Sequence, residues 1–98
     1  TFGPVAPLLR FRDESDVLTQ ANASEAGLAA YFFTRDIARV HRVAAALEVG
    51  MVGINTGSIS TEVAPFGGIK ESGYGREGGP SGLEDYLDVK YLCLGGLN

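Results

Sequence analysis

Cys93 is the single cysteine of this 98-residue chain. One thiol excludes an internal disulfide and any multi-cysteine metal site. It also favours a reducing compartment, and a cytoplasmic location is expected. Basic residues are few: eight Lys and Arg stand against twelve Asp and Glu, for a net charge of −4. They are scattered, with Arg39 and Arg42 alone close together on an expected helix. A nucleic-acid surface needs a basic face, so no nucleic-acid partner is expected. No apolar run reaches the roughly 18 residues of a membrane-spanning helix, so no membrane partner is expected. A basic region followed by an apolar run is missing from the N-terminus, which argues against a signal peptide. Methionine occurs once, at Met51, and the chain opens Thr1-Phe2-Gly3-Pro4. Residue 1 is therefore expected to be an interior position of a longer protein.

What is present fits a folded α/β unit. Apolar residues make up 45% of the chain, which argues against disorder. Val5 to Phe11 reads as a strand, with Pro7 placing its first half at an edge. Residues 13–24 read as a short helix capped by Asp13 or Ser15, with Val17, Leu18 and Ala21 at helical spacing. Leu28 to Thr34 is a nearly continuous apolar run, as in a strand covered on both faces. Thr34 or Asp36 begins a longer helix, in which Ile37, Val40, Ala44 and Leu47 recur at helical spacing and Gly50 marks the stop. Met51 to Asn55 is a third strand. Strand–helix–strand–helix–strand implies two crossover units and a parallel sheet with helices on its faces. Further on, Ser81-Gly82-Leu83-Glu84 matches a capping box, and Val89 to Leu94 reads as a final strand.

Between Asn55 and Ser81 regular structure stops. Loops of that length are functional or disordered, and Phe66 and Tyr74 argue against disorder. Gly73-Tyr74-Gly75-Arg76-Glu77-Gly78 fits G-x-G-x-x-G, but no strand precedes it and no acidic residue follows about 20 positions on. It is therefore not read as a nucleotide-binding loop. The glycines instead let the loop fold tightly against another surface. Arg76 is a planar donor suited to anchoring it on carboxylates or carbonyls, and Asp88 is the expected partner. His41, alone on its helix, reads as structural or exposed, and Cys93 as a small buried hydrophobe. Ser58-Ile59-Ser60-Thr61 follows the third strand, where ligands collect in parallel sheets. On spacing alone these hydroxyls read as loop-forming, with binding of an anionic group as the alternative.

Pro65-Phe66-Gly67-Gly68-Ile69-Lys70-Glu71-Ser72-Gly73-Tyr74-Gly75-Arg76-Glu77 closely resembles the C-terminal signature of the aldehyde dehydrogenase superfamily, P-F-G-G-x-K-x-S-G-x-G-R-E. Phe2-Gly3-Pro4-Val5, Gly27-Leu28-Ala29-Ala30 and Val52-Gly53-Ile54-Asn55 resemble three further motifs of that family. The stretch Asn55 to Thr61 and the ending Lys90 to Leu97 look most like its succinate-semialdehyde dehydrogenases.

The resemblance implies a parallel three-layer (αβα) sheet fragment of a catalytic domain. Residues 1–85 would form the C-terminal half of that domain, and residues 86–98 a terminal oligomerisation strand. It implies Ser60 as a ligand of the substrate's far carboxylate, Phe66 in the aldehyde tunnel, and Phe2 near the nicotinamide ribose. NAD or NADP would be the cofactor, succinate semialdehyde the substrate, and a homo-oligomer (dimer or tetramer) the assembly. In the family a cysteine thiolate attacks the aldehyde, hydride passes to NAD(P), and a glutamate activates the hydrolytic water. The resemblance places that cysteine, that glutamate and the cofactor domain before residue 1, so the chain alone would be inactive. Thr61-Glu62-Val63-Ala64 departs from the common pattern of the subfamily.

Overall fold

The computed structural model describes residues 3–96. Helix α1 (Glu14–Asn22) follows Asp13, whose carboxylate accepts from the Asp16 amide at 2.9 Å. Strands β1 (Ala26–Gly27) and β2 (Ala29–Phe32) come next, then helix α2 (Ile37–Ala46) and strand β3 (Met51–Ile54). Strand β4 (Ile69–Lys70) lies within the long loop, and a 3₁₀ helix spans Pro80–Tyr86.

β2 and β3 pair in parallel, Ala29 opposite Met51 through Phe32 opposite Ile54, with α2 as the crossover. β1 and β4 form a separate antiparallel pair. One of the two expected crossover units is thus formed among the described residues. The other lacks its first strand: Val5 to Phe11 has no ladder partner, and Leu8 and Leu9 stand exposed. Pro7 removes one donor there, and Gln20 of α1 donates instead to the Arg10 carbonyl. The three-layer sheet is accordingly not assembled by these residues.

Local chemistry explains the boundaries. Asp36 caps α2 by accepting from the Ala38 amide, and the Thr34 hydroxyl accepts from the Asp36 amide. The helix ends before Gly50, with Leu47 as its C-terminal cap. Asn22 sets that end: its amide donates to the Ala46 carbonyl at 2.8 Å, and its oxygen accepts from the Glu48 amide at 2.9 Å. The expected capping box at Ser81 is not formed. The 3₁₀ helix starts one residue earlier at Pro80, and no side chain caps it. Proline's fixed φ suits a first helical position. Val89 to Leu94 belongs to no ladder, and its apolar side chains are exposed.

Apolar burial is sparse. Val43 is the one large apolar side chain buried among the described residues. The radius of gyration is 19.0 Å, against about 13 Å for a compact chain of this length. The accessible surface is 8334 Å², against about 5,400 Å² for a folded monomer of this mass. Polar ties carry much of the cohesion. Glu14 on α1 receives the Arg39 and Arg42 guanidinium groups of α2.

The Arg42 and then the Arg39 hydrogen bond lower the Glu14 carboxyl from 4.5 to about 2. A depressed acid stabilises the fold above its unfolded value and loses that contribution as pH falls through the folded value. Protection of α1 amides from hydrogen exchange should therefore decline as pH drops from 4.5 toward about 2. Glu14→Gln should remove that component of the decline.

Candidate functional site

The long loop is pinned at its middle. Ile69 pairs with Gly27 and Lys70 with Ala26, and the Ser72 hydroxyl accepts from the Gly27 amide at 2.9 Å. Lys70 has φ 55, a left-handed backbone that costs an ordinary residue roughly 1–2 kcal/mol. Its ammonium offsets this strain by donating to the Asn22 and Ser24 carbonyls at 2.8 and 3.2 Å, and by pairing with Glu48 at 2.6 Å. A cation at the end of α1 also opposes the negative end of the helix dipole.

The first arm of the loop lies against the start of β3. A Cβ on Gly50 would overlap the Gly67 carbonyl oxygen and come within 2.7 Å of the Gly68 Cα. Backbone thus rests on backbone at a place where no side chain fits. The two arms are joined by Phe66 and Glu77, which exchange amide–carbonyl hydrogen bonds of 2.7 and 2.8 Å. Farther along, the Gly79 amide donates to the Glu62 carbonyl at 3.0 Å.

Arg76 anchors the loop from within. Its guanidinium donates to the Gly68 and Gly75 carbonyls, each at 2.7 Å, while its backbone amide donates to the Asp85 carboxylate at 2.9 Å. The expected Arg76–Asp88 pair is therefore not formed. Asp88 lies beyond the end of the 3₁₀ helix, whereas Asp85 lies on it and meets the Arg76 amide.

Among the open cavities beside this loop, two share Phe66. One, of about 320 Å³, is lined by Ser60, Thr61, Glu62, Phe66, Glu77 and Gly78. The other, of about 530 Å³, is lined in part by Leu28, Phe66, Tyr74, Arg76 and Tyr86. Phe66 borders both. Ser60 and Phe66, singled out separately in the sequence, thus share one cavity. Its lining offers two hydroxyls and two carboxylates, with no cation. Those groups can orient a polar ligand by hydrogen bonds. They include no thiol or imidazole for nucleophilic or acid–base chemistry at neutral pH.

Other candidates fall elsewhere. Phe2 lies outside the described residues. His41 is exposed on α2 and lines neither cavity. Cys93 is exposed rather than buried, its segment pairing with no strand among the described residues. No cluster of metal-ligating side chains occurs among the described residues. Sequence reasoning missed the junction of Asn22, Glu48 and Lys70 and the contact of Asp85. The residues of that junction are far apart in sequence, and no local spacing signals them.

The aldehyde dehydrogenase family model matches residues 1–92. The chain belongs to the aldehyde dehydrogenase family. It is 68% identical over 95 residues to the Escherichia coli K12 succinate-semialdehyde dehydrogenase [NADP(+)] GabD, covering 97% of this chain and 20% of that protein. It is 67% identical over 97 residues to a Pseudomonas aeruginosa glutarate-semialdehyde dehydrogenase, covering 99% of this chain and 20% of that protein. The crystal structure of an E. coli NADP-dependent enzyme superposes with a TM-score of 0.92 at 68% identity, covering 96% of this chain and 20% of that one. This aldehyde dehydrogenase family chain spans about a fifth of the length of the curated relatives it matches.

The seat at Gly50 makes a direct prediction for a whole dehydrogenase carrying this segment. Gly50→Ala forces a methyl group into the Gly67 carbonyl and should destabilise the fold by about 1–3 kcal/mol. Thermal or denaturant unfolding reads this, with Gly57→Ala, where a Cβ meets nothing within 4 Å, as the control.

Proposed function

We propose that this chain is the C-terminal fifth of an NAD(P)-dependent dehydrogenase that oxidises succinate semialdehyde to succinate. The carrying observation is that Ser60 and Phe66 line one cavity. The semialdehyde has two ends of different chemistry, an aldehyde and a carboxylate. The Ser60 hydroxyl donates to the carboxylate, and Phe66 supplies an apolar wall to the methylene chain between the ends. Because Glu62 and Glu77 line the same cavity, a cation from the rest of the enzyme must balance the bound carboxylate. Holding both ends places the aldehyde in one orientation, which is how a positioning site contributes to rate.

The reaction itself belongs to residues outside this chain. Its balance is aldehyde plus water plus NAD(P)⁺ giving carboxylate, NAD(P)H and two protons. When bound, NAD or NADP would supply the hydride acceptor, and Phe2 is the residue of this chain assigned to hold it. In this reading residues 1–85 complete an αβα catalytic domain, and residues 86–98 pair with another subunit of a homo-oligomer in the cytoplasm. The exposed apolar side chains of Val89, Tyr91 and Leu92 are what such a pairing would cover.

A second reading, glutarate semialdehyde as substrate, is favoured by the glutarate-semialdehyde dehydrogenase among the relatives. One methylene changes specificity by only about 1–3 kcal/mol.

In the whole enzyme, Ser60→Ala should raise KM for succinate semialdehyde about tenfold or more, as befits a lost hydrogen bond to a charged group. An unchanged KM across succinate and glutarate semialdehydes would overturn the assignment of Ser60.

A further inference from the structure

We propose that Asn55 is the positioning residue that aims the Ser60 loop, and hence that it governs selectivity for a substrate bearing a far carboxylate. The inference rests on the reading above of Ser60.

β3 ends at Ile54, and the Asn55 amide makes one more ladder bond to the Phe32 carbonyl at 3.0 Å. There the chain turns away. Asn55 has φ 56, in the left-handed region, where asparagine is among the few side chains tolerated. Its side chain then takes the place of the next backbone pair. Oδ1 accepts from the Thr34 amide and Nδ2 donates to the Thr34 carbonyl, both at 2.8 Å. The side chain thus continues the sheet while the backbone leaves it. No other residue type combines left-handed tolerance with a donor and an acceptor at that reach.

Two further contacts carry this direction on to Ser60. The Thr56 hydroxyl accepts from the Ser58 amide at 3.2 Å and closes a tight turn. Ile59 then packs back on β3, so closely that a Cβ on Gly53 would stand 2.9 Å from its Cγ2. Ser60 follows at once and enters the cavity it shares with Phe66. Four residues separate Asn55 from Ser60, and the Thr56–Ser58 turn and the Ile59 contact with β3 carry on the direction that Asn55 sets.

The test uses the whole dehydrogenase and two aldehydes, succinate semialdehyde and butanal. Butanal has the same four carbons without the carboxylate, so Ser60 has nothing to bind on it. The readout is the ratio of kcat/KM for the two. Asn55→Gly keeps the left-handed backbone but loses both side-chain bonds, and should lower the ratio about tenfold, chiefly through KM for the semialdehyde. Asn55→Asp keeps the acceptor for the Thr34 amide and should recover part of the loss; it also serves if the glycine variant fails to fold. An unchanged ratio in Asn55→Gly, beside a lowered one in Ser60→Ala, overturns the role of Asn55 while leaving Ser60 in place. An equal fall for both aldehydes overturns it too, because Asn55 then supports only the fold. An unchanged ratio in Ser60→Ala itself overturns the underlying reading and this inference with it.

Discussion

The contact of the Gly67 carbonyl with Gly50 is the constraint on which the rest of the structure depends. A chain with so little buried apolar surface cannot rely on a core to place its loops. Direct backbone packing is the alternative, and it tolerates no side chain at the point of contact. Once the first arm rests on Gly50, the β1–β4 pair has its register, and the Ser72 hydroxyl meets the Gly27 amide. Lys70 can then reach the ends of the helices. Each of these bonds is polar and modest, with net worth near 1 kcal/mol. Together they fix a glycine-rich segment that would otherwise pay a large entropy cost to be ordered.

The seat matters for function because of where it leaves Phe66. The Phe66–Glu77 bridge lies at the open end of the loop, beside the segment that carries Ser60. Phe66 borders two cavities, the smaller lined also by Ser60, Thr61, Glu62 and Glu77, the larger also by Tyr74, Arg76 and Tyr86. Val5, Leu8 and Leu9 on one side of the sequence, and Leu87 to Leu94 on the other, flank the ordered middle. They stand uncovered among the described residues of a chain that spans about a fifth of the length of its curated relatives.

The helices were the most legible part of the sequence. Asp13 and Asp36 announce their caps, but the expected apolar stripe of α2, Ile37, Val40, Ala44 and Leu47, leaves out Val43, the residue that is buried, and includes Ile37, which is exposed. The parallel pair β2–β3 was legible too, because an apolar run, a helix and a second apolar run can close in few ways. Strands needing a distant partner were not legible: Val5 to Phe11 and Val89 to Leu94 have strand composition but nothing here to pair with. Composition reports what a segment can do, while a ladder also needs a neighbour. The partner of Arg76 was misjudged for a similar reason. Asp85 and Asp88 both follow Arg76 within about a dozen residues, and the 3₁₀ helix, which carries Asp85 and ends before Asp88, decides which one meets the loop. Family resemblance, rather than spacing, raised Ser60 above its loop neighbours. The structure then placed it with Phe66.

The most direct test is a crystal structure of the whole enzyme with succinate bound in place of the semialdehyde. The account predicts one carboxylate within hydrogen-bonding distance of the Ser60 hydroxyl, the methylene chain against Phe66, and the Gly67 carbonyl still resting on Gly50. A ligand bound with both carboxylates away from Ser60, or a loop lifted from Gly50 in the bound state, would contradict it.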